Sequence, residues 1–315
     1  MSETIQPPVI ADNLTEQDTL TTKLVRFFRT KPLGAIGLVV VVIFIFAAIF
    51  AEVISPNDPL DIDYELFLAP PSAHHLLGSD EFGRDLLTRI IYGARTAMLV
   101  GFVCSVIGAT LGLFLGVTSA YFGGKTDTII QRIVDIFMSF PLIILALAIV
   151  TIIPPVDPDT LPAVFSWIPA LILRILPVIV AITIPMIPRC ARVVRSSALA
   201  LREVPYVDAA RALGFSHTRI IVRHMIPNVM APYLIMLTAF MGQAVLLEAS
   251  LSFLGLGVQE PTPAWGLMLQ GGAEQYAETA WWIAVFPGLA ITVSVFAFNI
   301  FGDALRDVLD PKLRV

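Results

Sequence analysis

The sequence is poor in charged residues and in cysteine. Asp, Glu, Lys and Arg make up 14% of its 315 residues, against about 25% in an average soluble protein. Its two cysteines are too few for a disulfide-stabilised scaffold. Its net charge of −5 provides no basic surface for a nucleic acid. Intrinsic disorder is excluded as well, because it requires much lower hydrophobicity together with a high net charge.

Apolar residues are abundant instead, at 57% of the chain. A soluble domain carries about 45–50% even with glycine included, so a polytopic membrane protein is predicted. Six apolar runs are long enough to cross about 30 Å of hydrocarbon as helices. The predicted spans are, approximately, residues 33–54, 96–122, 136–154, 175–191, 228–250 and 280–300. We therefore predict an all-α integral membrane protein whose six-span domain covers residues 33–315.

The distribution of positive charge predicts the orientation. With the N-terminus inside, sixteen of the twenty Lys and Arg residues fall on the cytoplasmic side, as the positive-inside rule requires. Both termini are then cytoplasmic, and residues 192–227 form the longest cytoplasmic connection. Within the tail, 1–32, residues 20–30 fit either a helix lying on the membrane surface or an ordinary basic flank of the first span.

The predicted spans contain few ionisable groups. Glu248, near the outer end of the fifth span, is expected at the membrane interface. An ion-coupled secondary transporter needs ionisable groups near the midplane of the membrane. The predicted spans offer few of them, so this class is kept only as the alternative. A nucleotide site is not predicted either. Segment 119–126 reads SAYFGGKT, with Ser119 where a phosphate loop has its first glycine. We expect a loop there, with Gly123 and Gly124 ending the second span.

Small residues four apart mark one face of the second span. Gly108, Gly112 and Gly116 allow another helix backbone to approach closely, which predicts a tightly packed bundle. Cys104 and Cys190 lie in or beside apolar segments, and we expect two buried free thiols.

Several residues on the predicted outer side invite a functional interpretation. His74, His75 and Asp80 suggest a metal site, but adjacent histidines seldom converge on one ion. The triplet Gly83-Arg84-Asp85 is expected to form a turn with a local salt bridge. Trp265 is a candidate contact for a binding protein. Aromatic residues at the point where a span enters the membrane interface usually form an aromatic belt, and we interpret Tyr276, Trp281 and Trp282 in this way.

The cytoplasmic connection contains helix start and stop signals. Pro205 suits the first turn of a helix, and Gly214 suits its left-handed C-terminal stop. Ser216 suits the N-cap of a second helix, which Pro227 stops or kinks. A helix of about two turns is unstable alone, so we expect it to dock on a partner, with Ala209, Ala210 and Ala212 allowing a close approach.

This segment, YVDAARALGFSHTRIIVRHMIPN (206–228), resembles the cytoplasmic loop of permease subunits of binding-protein-dependent ABC importers. The family pattern is Glu-Ala-Ala, three residues, Gly, nine residues and Ile-x-Leu-Pro. Here Asp208 replaces Glu, His224 replaces Ile and Ile226 replaces Leu. Residues 75–95, 246–266 and 301–314 resemble the dipeptide, oligopeptide and nickel branch, in particular the second permease of its pair. The chain departs from the family pattern between about 154 and 177.

The resemblance implies a pore subunit that binds no cofactor or metal and catalyses no reaction itself. Its implied partners are a second homologous permease, two ABC ATPase subunits that hold ATP and Mg, an extracytoplasmic substrate-binding protein and inner-membrane lipid, but no nucleic acid. The residues implied to couple to the ATPase are Pro205, Tyr206, Asp208, Ala209, Ala210, Arg211, Leu213, Gly214 and Pro227. A secondary transporter and a membrane scaffold or sensor are the alternatives. Peptides, nickel chelates and other small solutes stay open as substrates.

Overall fold

A computed structural model describes residues 27–154, 156, 167–276 and 278–309. Most of the predicted surface segment 20–30 lies outside these ranges. The α-helices are α1 (Pro32–Ile49), α2 (Ala51–Ile54), α3 (Leu86–Phe122), α4 (Gly124–Met138), α5 (Leu142–Ile152), α6 (Ala170–Arg202), α7 (Pro205–Ala212), α8 (His217–Ile220), α9 (Met230–Phe253), α10 (Trp265–Gln275) and α11 (Trp281–Leu309). No strand occurs in the described ranges, so the predicted all-α class is confirmed.

Five of the described helical segments are long and apolar enough to cross a membrane, and the bent pair α4–α5 makes six if it counts as one span. We refer to the two ends of the bundle as the Pro205 end and the Arg84 end. The helices α3 and α6 run toward the Pro205 end, and α9 runs back. The orientation relative to the cytoplasm stays a prediction.

The structure changes the bounds of several predicted spans. Helix α3 begins at Leu86 rather than near 96, because the polar groups of its first turns are satisfied. Asp85 caps it by accepting a 2.8 Å hydrogen bond from the Thr88 amide. Arg95 donates to the Ala48 carbonyl at 2.9 Å. Helix α6 extends well beyond the predicted 175–191 on both sides.

The third predicted span, 136–154, is not one straight helix. Residues 125–135, predicted as a loop, belong to α4, which meets α5 at a 90° bend. Pro141, the N-cap of α5, has no backbone N–H with which to continue a helix. The expectation for Gly124 was also wrong. Only Gly123, at φ +62°, ends α3, and Gly124 begins α4.

The small-residue face of α3, with its three glycines, packs against α6. A Cβ on Gly112 would lie 2.5 Å from the Cys190 Cβ, and one on Gly116 would lie 2.5 Å from the Ala191 carbonyl oxygen. At Gly108 it would lie 3.1 Å from Met186. Because ordinary contacts are longer, any larger residue would force the helices apart. Cys104 and Cys190 are buried free thiols in the same interface, as expected.

A network of charged side chains holds the Arg84 end together. The guanidinium group of Arg84 donates to Asp80 at 2.7 Å and to both oxygens of Glu260 at 3.1 and 3.3 Å. Arg89 donates to the same Glu260 carboxylate at 3.1 Å. Burial alone would lower the pKa of Arg84, but the charges of Asp80 and Glu260 outweigh it and raise that pKa above its ordinary value. The segment before α3 is thereby joined to the loop after α9.

The expected turn and salt bridge at Gly83-Arg84-Asp85 are therefore present, and the turn residue Gly83 has φ +74°. Asp80, which was considered as a metal ligand, is engaged by Arg84. His75 contacts Asp85 instead, with 3.0 Å between Nδ1 and Oδ1. Asp80 and His75 thus take part in two separate contacts, an ion pair with Arg84 and a hydrogen bond with Asp85.

Two residues at this end are buried within the chain. Trp265 is buried rather than available to a binding protein, and its indole N–H donates to the Ile90 carbonyl at 2.9 Å beside Gly93. Glu248 is also fully buried. One of its oxygens accepts from the Ser252 hydroxyl at 2.7 Å, and Oε2 has no hydrogen-bond partner among the described residues.

The two adjacent tryptophans, both predicted to lie in an aromatic belt, differ in their burial. Trp281 is half-exposed, consistent with a membrane-facing position. Trp282 is buried and donates from its indole N–H to the Ser79 carbonyl at 3.1 Å. It therefore packs inside the chain, against the segment that precedes α3.

Candidate coupling site

Helix α7 has well-defined ends. Pro205 occupies its first turn, where a missing N–H costs nothing. Gly214 follows the helix at φ +74°. Two hydrogen bonds close the C-terminus, from the Gly214 amide to the Arg211 carbonyl at 2.9 Å and from the Phe215 amide to the Ala210 carbonyl at 3.1 Å. This is the Schellman arrangement, which favours glycine because a side chain is strained there.

One face of α7 is anchored in the bundle and the other is exposed. Val207 is 0% exposed and Ala210 is 4% exposed, and both belong to the core shared by α3, α6 and α9. Burying the Val207 side chain contributes about 1.5–3 kcal/mol. Asp208, Ala209 and Ala212 are exposed, and Leu213, the C-cap residue, is 73% exposed. An eight-residue helix is thus held in place by the rest of the chain.

Tyr206 attaches the start of α7 to the segment that leads into α9. Its hydroxyl accepts a 3.2 Å hydrogen bond from the Asn228 side-chain amide, which also donates to the His224 carbonyl at 2.7 Å. The His224 ring stacks on Phe215 with centroids 6.1 Å apart. These contacts join both ends of α7 to one segment.

Arg211 attaches the last turn of α7 to the end of α3. Its guanidinium group donates to Asp208 at 3.1 Å and lies 4.9 Å above the centroid of the Tyr121 ring, a cation–π geometry. The Tyr121 hydroxyl in turn lies 2.8 Å from Nδ1 of His217, on α8. Direct side-chain contacts therefore connect α7 to α3 and α8.

The segment from α8 to α9 is continuous but irregular. The Ser216 hydroxyl caps α8 by accepting from the Arg219 amide at 3.4 Å. A π-turn at Ile221–Met225 and a 3₁₀ turn at Ile226–Val229, which contains Pro227, connect α8 to α9. Pro227 thus kinks the helix rather than stopping it, since the chain re-forms hydrogen bonds around it.

The structure brings the predicted coupling residues together and divides them between two faces. The exposed members are Pro205, Tyr206, Asp208, Ala209, Leu213, Gly214 and Pro227. Arg211 is partly buried, and Ala210 faces the bundle core and cannot contact a partner. Three residues that attach α7 to the rest of the chain were not predicted, namely Val207, Tyr121 and Asn228. Only the apolar side chain of Val207 within a polar loop signalled a buried anchor.

Segment 119–126 is helical on both sides of Gly123. Ser119 and residues through Phe122 are helical, so no glycine-rich loop precedes a helix there. The Ser119 hydroxyl donates to Asp127, and Arg195 holds that carboxylate with two hydrogen bonds. In the part of the chain that the structure describes, no group of three His, Cys, Asp or Glu residues could hold a metal ion.

Comparison with known proteins identifies the class. Residues 108–315 match the family described as the binding-protein-dependent transport system inner membrane component, and the chain belongs to this family. It is thus a multi-pass inner-membrane protein. Within that class, residues 19–71 match the N-terminal transmembrane domain of oligopeptide transport permease C. The resemblance seen in the sequence is confirmed.

Similar individual proteins agree with this assignment. The chain is 40% identical over 294 residues to the dipeptide transport system permease protein DppC of Escherichia coli K12, covering 91% of this chain and 92% of that protein. It is 39% identical over 286 residues to DppC of Alkalihalophilus pseudofirmus, covering 91% and 88%. In fold, it is similar to a chain of the inward-facing MetNI methionine ABC transporter, with a TM-score of 0.52, 21% identity and coverage of 70% of this chain and 96% of that one.

Proposed function

We propose that this chain is a pore-forming permease subunit of an ATP-driven importer for peptides or similar small solutes. Relatives that are about 40% identical over nine tenths of the chain carry the name dipeptide permease, which supports a peptide substrate. In this proposal, a second homologous permease completes the pore, two ATPase subunits bind ATP and Mg, and a binding protein delivers the substrate. The Pro205 end and both termini then lie in the cytoplasm.

The observation that carries the proposal is the construction of α7. It presents an exposed face around Leu213 while Val207 is buried in the bundle. When the ATPase pair closes on ATP, it pushes this exposed face. The contacts of Arg211 with Tyr121 and of Tyr206 with Asn228 pass the displacement to α3 and α9. The membrane helices tilt as a result, and the pore changes the side to which it opens.

The test alters the end of α7 without creating a collision. A Cβ at Gly214 would have no atom within 4 Å, so a side chain fits, but φ +74° strains any residue with a Cβ by about 1–2 kcal/mol. Asparagine tolerates this conformation better than valine does. We expect Gly214→Val to reach the membrane yet to hydrolyse ATP without dipeptide uptake, and Gly214→Asn to stay largely coupled.

The measurement is dipeptide uptake per ATP hydrolysed, in proteoliposomes that contain the complete importer. Normal coupling in Gly214→Val would contradict the proposed role of α7. Uptake by the chain alone, abolished by an ionophore, would instead establish the alternative, a secondary transporter.

A further inference from the structure

Three polar side chains from three different membrane helices line one cleft. They are Arg189 on α6, Gln243 on α9 and Asn299 on α11, and the cleft has a volume of about 400 Å³. At 1.5 Å per residue, Arg189 lies about 20 Å along α6 from Arg202, its last residue at the Pro205 end. Gln243 lies about 20 Å along α9 from Met230. The cleft therefore lies near the middle of these helices along their length, away from the Pro205 end, and it is open at the surface of the chain.

Polar and charged groups at this depth are costly unless they have partners. No hydrogen bond or ion pair joins Arg189, Gln243 or Asn299 to any other described residue, and the described lining of the cleft contains no carboxylate. Other arginines of α6 are paired, for example Arg192 with Asp135 and Arg195 with Asp127. Arg189 thus carries a positive charge that has no partner among the described residues, and it lines an open cleft at the middle of the helices.

The geometry points to a site for the carboxylate of a peptide in transit, and this rests on the proposed function. A guanidinium group binds a carboxylate through two parallel hydrogen bonds. The side-chain amides of Gln243 and Asn299 each offer a donor and an acceptor, which suits the amide bond next to a peptide C-terminus. Every linear peptide has this carboxylate whatever its side chains, so the site would recognise peptides without selecting a sequence.

An acidic residue of the partner permease is the competing occupant of the cleft. The volume of the cleft favours a transported peptide over an acidic side chain of the partner. A volume of about 400 Å³ lies within the range of about 300–1,000 Å³ that is typical of small-molecule sites, whereas a single ion pair between packed helices needs no such space. Its lining is mixed, because Met236, Phe240 and Leu246 accompany the polar groups. Such a wall suits a dipeptide with apolar side chains.

The experiment compares two probes in the complete reconstituted importer, alanyl-alanine and its C-terminal amide. The binding protein is the same in every reaction, so its own preference cancels when variants are compared. We expect Arg189→Gln to lower the ratio of free-acid to amide transport about tenfold, which is the usual scale of one charged hydrogen bond. Transport of the amide should change by less than about twofold. Arg189→Lys should keep most of the ratio, and Arg192→Gln, three residues along the same helix, should leave it unchanged.

The outcomes separate the two proposals. An unchanged ratio in an active Arg189→Gln importer overturns the carboxylate site and leaves the proposed function intact. Loss of the partner permease from the purified Arg189→Gln complex also overturns it, because Arg189 would then pair with protein. If the wild-type importer moves neither probe, the proposed function fails and this inference fails with it.

Discussion

The charge network at the Arg84 end predicts that two similar glutamates differ greatly in their effect on stability. Glu260 lies 3.1 Å from Arg89 and Glu52 lies 3.1 Å from Arg95, measured from guanidinium nitrogen to carboxylate oxygen. The arginine side chains differ, because that of Arg89 is 1% exposed and that of Arg95 is 30% exposed. Substituting each glutamate by glutamine therefore removes a contact with a guanidinium group from two environments, and at Glu260 it also removes the contact with Arg84.

The magnitude follows from burial. Breaking a buried pair costs about 3–5 kcal/mol because a buried charge is left uncompensated. Glu260 is itself 43% exposed, and Asp80 still contacts Arg84 and Arg89. We therefore expect about 2–3 kcal/mol for Glu260→Gln, after allowance for solvent screening. Glu52 is 72% exposed, so Glu52→Gln should cost no more than about 1 kcal/mol.

The assay is thermal unfolding of the purified variants in one detergent. One kcal/mol shifts the Tm of a protein of this size by about 2–4 °C. Glu260→Gln should then unfold about 5–10 °C below the wild type, and Glu52→Gln within about 3 °C of it. Equal shifts for the two variants would refute the reasoning, because burial of the arginines would then have no consequence.

Three further predictions follow from packing and hydrogen bonding. Gly116→Ala should lower the Tm because its Cβ would lie 2.5 Å from the Ala191 carbonyl, whereas Gly288→Ala, with no atom closer than 3.9 Å, should leave it unchanged or raise it. Ser252→Ala should cost about 1–3 kcal/mol in chemical unfolding, because its hydroxyl is the hydrogen-bond partner of buried Glu248 and of the Val258 amide. Tyr206→Phe should reduce coupled uptake while leaving the Tm within about 2–3 °C, because the two hydrogen bonds that it removes are exposed.

Each of these predictions has a result that would contradict it. Equal Tm values for Gly116→Ala and Gly288→Ala would mean that the α3–α6 contact is not tight. An unaltered unfolding curve for Ser252→Ala would show that water replaces its hydroxyl. Uptake equal to wild type in Tyr206→Phe would remove that contact from the coupling path, with uptake per ATP hydrolysed as the measurement.

Local signals in the sequence predict much of the candidate site. Pro205 and Gly214 act through their own backbone conformations, so a helix between them can be inferred without knowledge of its surroundings. Likewise, the glycines of α3 recur every four residues, which places them on one face of any helix. In both cases the information lies within one or two helical turns.

Contacts between distant segments could not be predicted in this way. Glu260 joins Arg84 across 176 positions, and no local pattern indicates that pairing. Helix α4 was missed because Lys125, Asp127 and other charged residues interrupt its apolar pattern, although Arg195 of α6 satisfies Asp127. The burial of Trp265 likewise depends on the space beside Gly93 on another helix. Tertiary packing, rather than propensity, decides these positions.

The central claim is that an ATPase subunit contacts the exposed face of α7. A cysteine placed at Leu213, which is 73% exposed, tests it against a cysteine at Val207, which is 0% exposed. The native Cys104 and Cys190 are buried and should not react. With a short thiol crosslinker and the assembled importer, Leu213→Cys should form an adduct with the ATPase subunit and Val207→Cys should not. An active importer in which Leu213→Cys yields no ATPase adduct would contradict the claim.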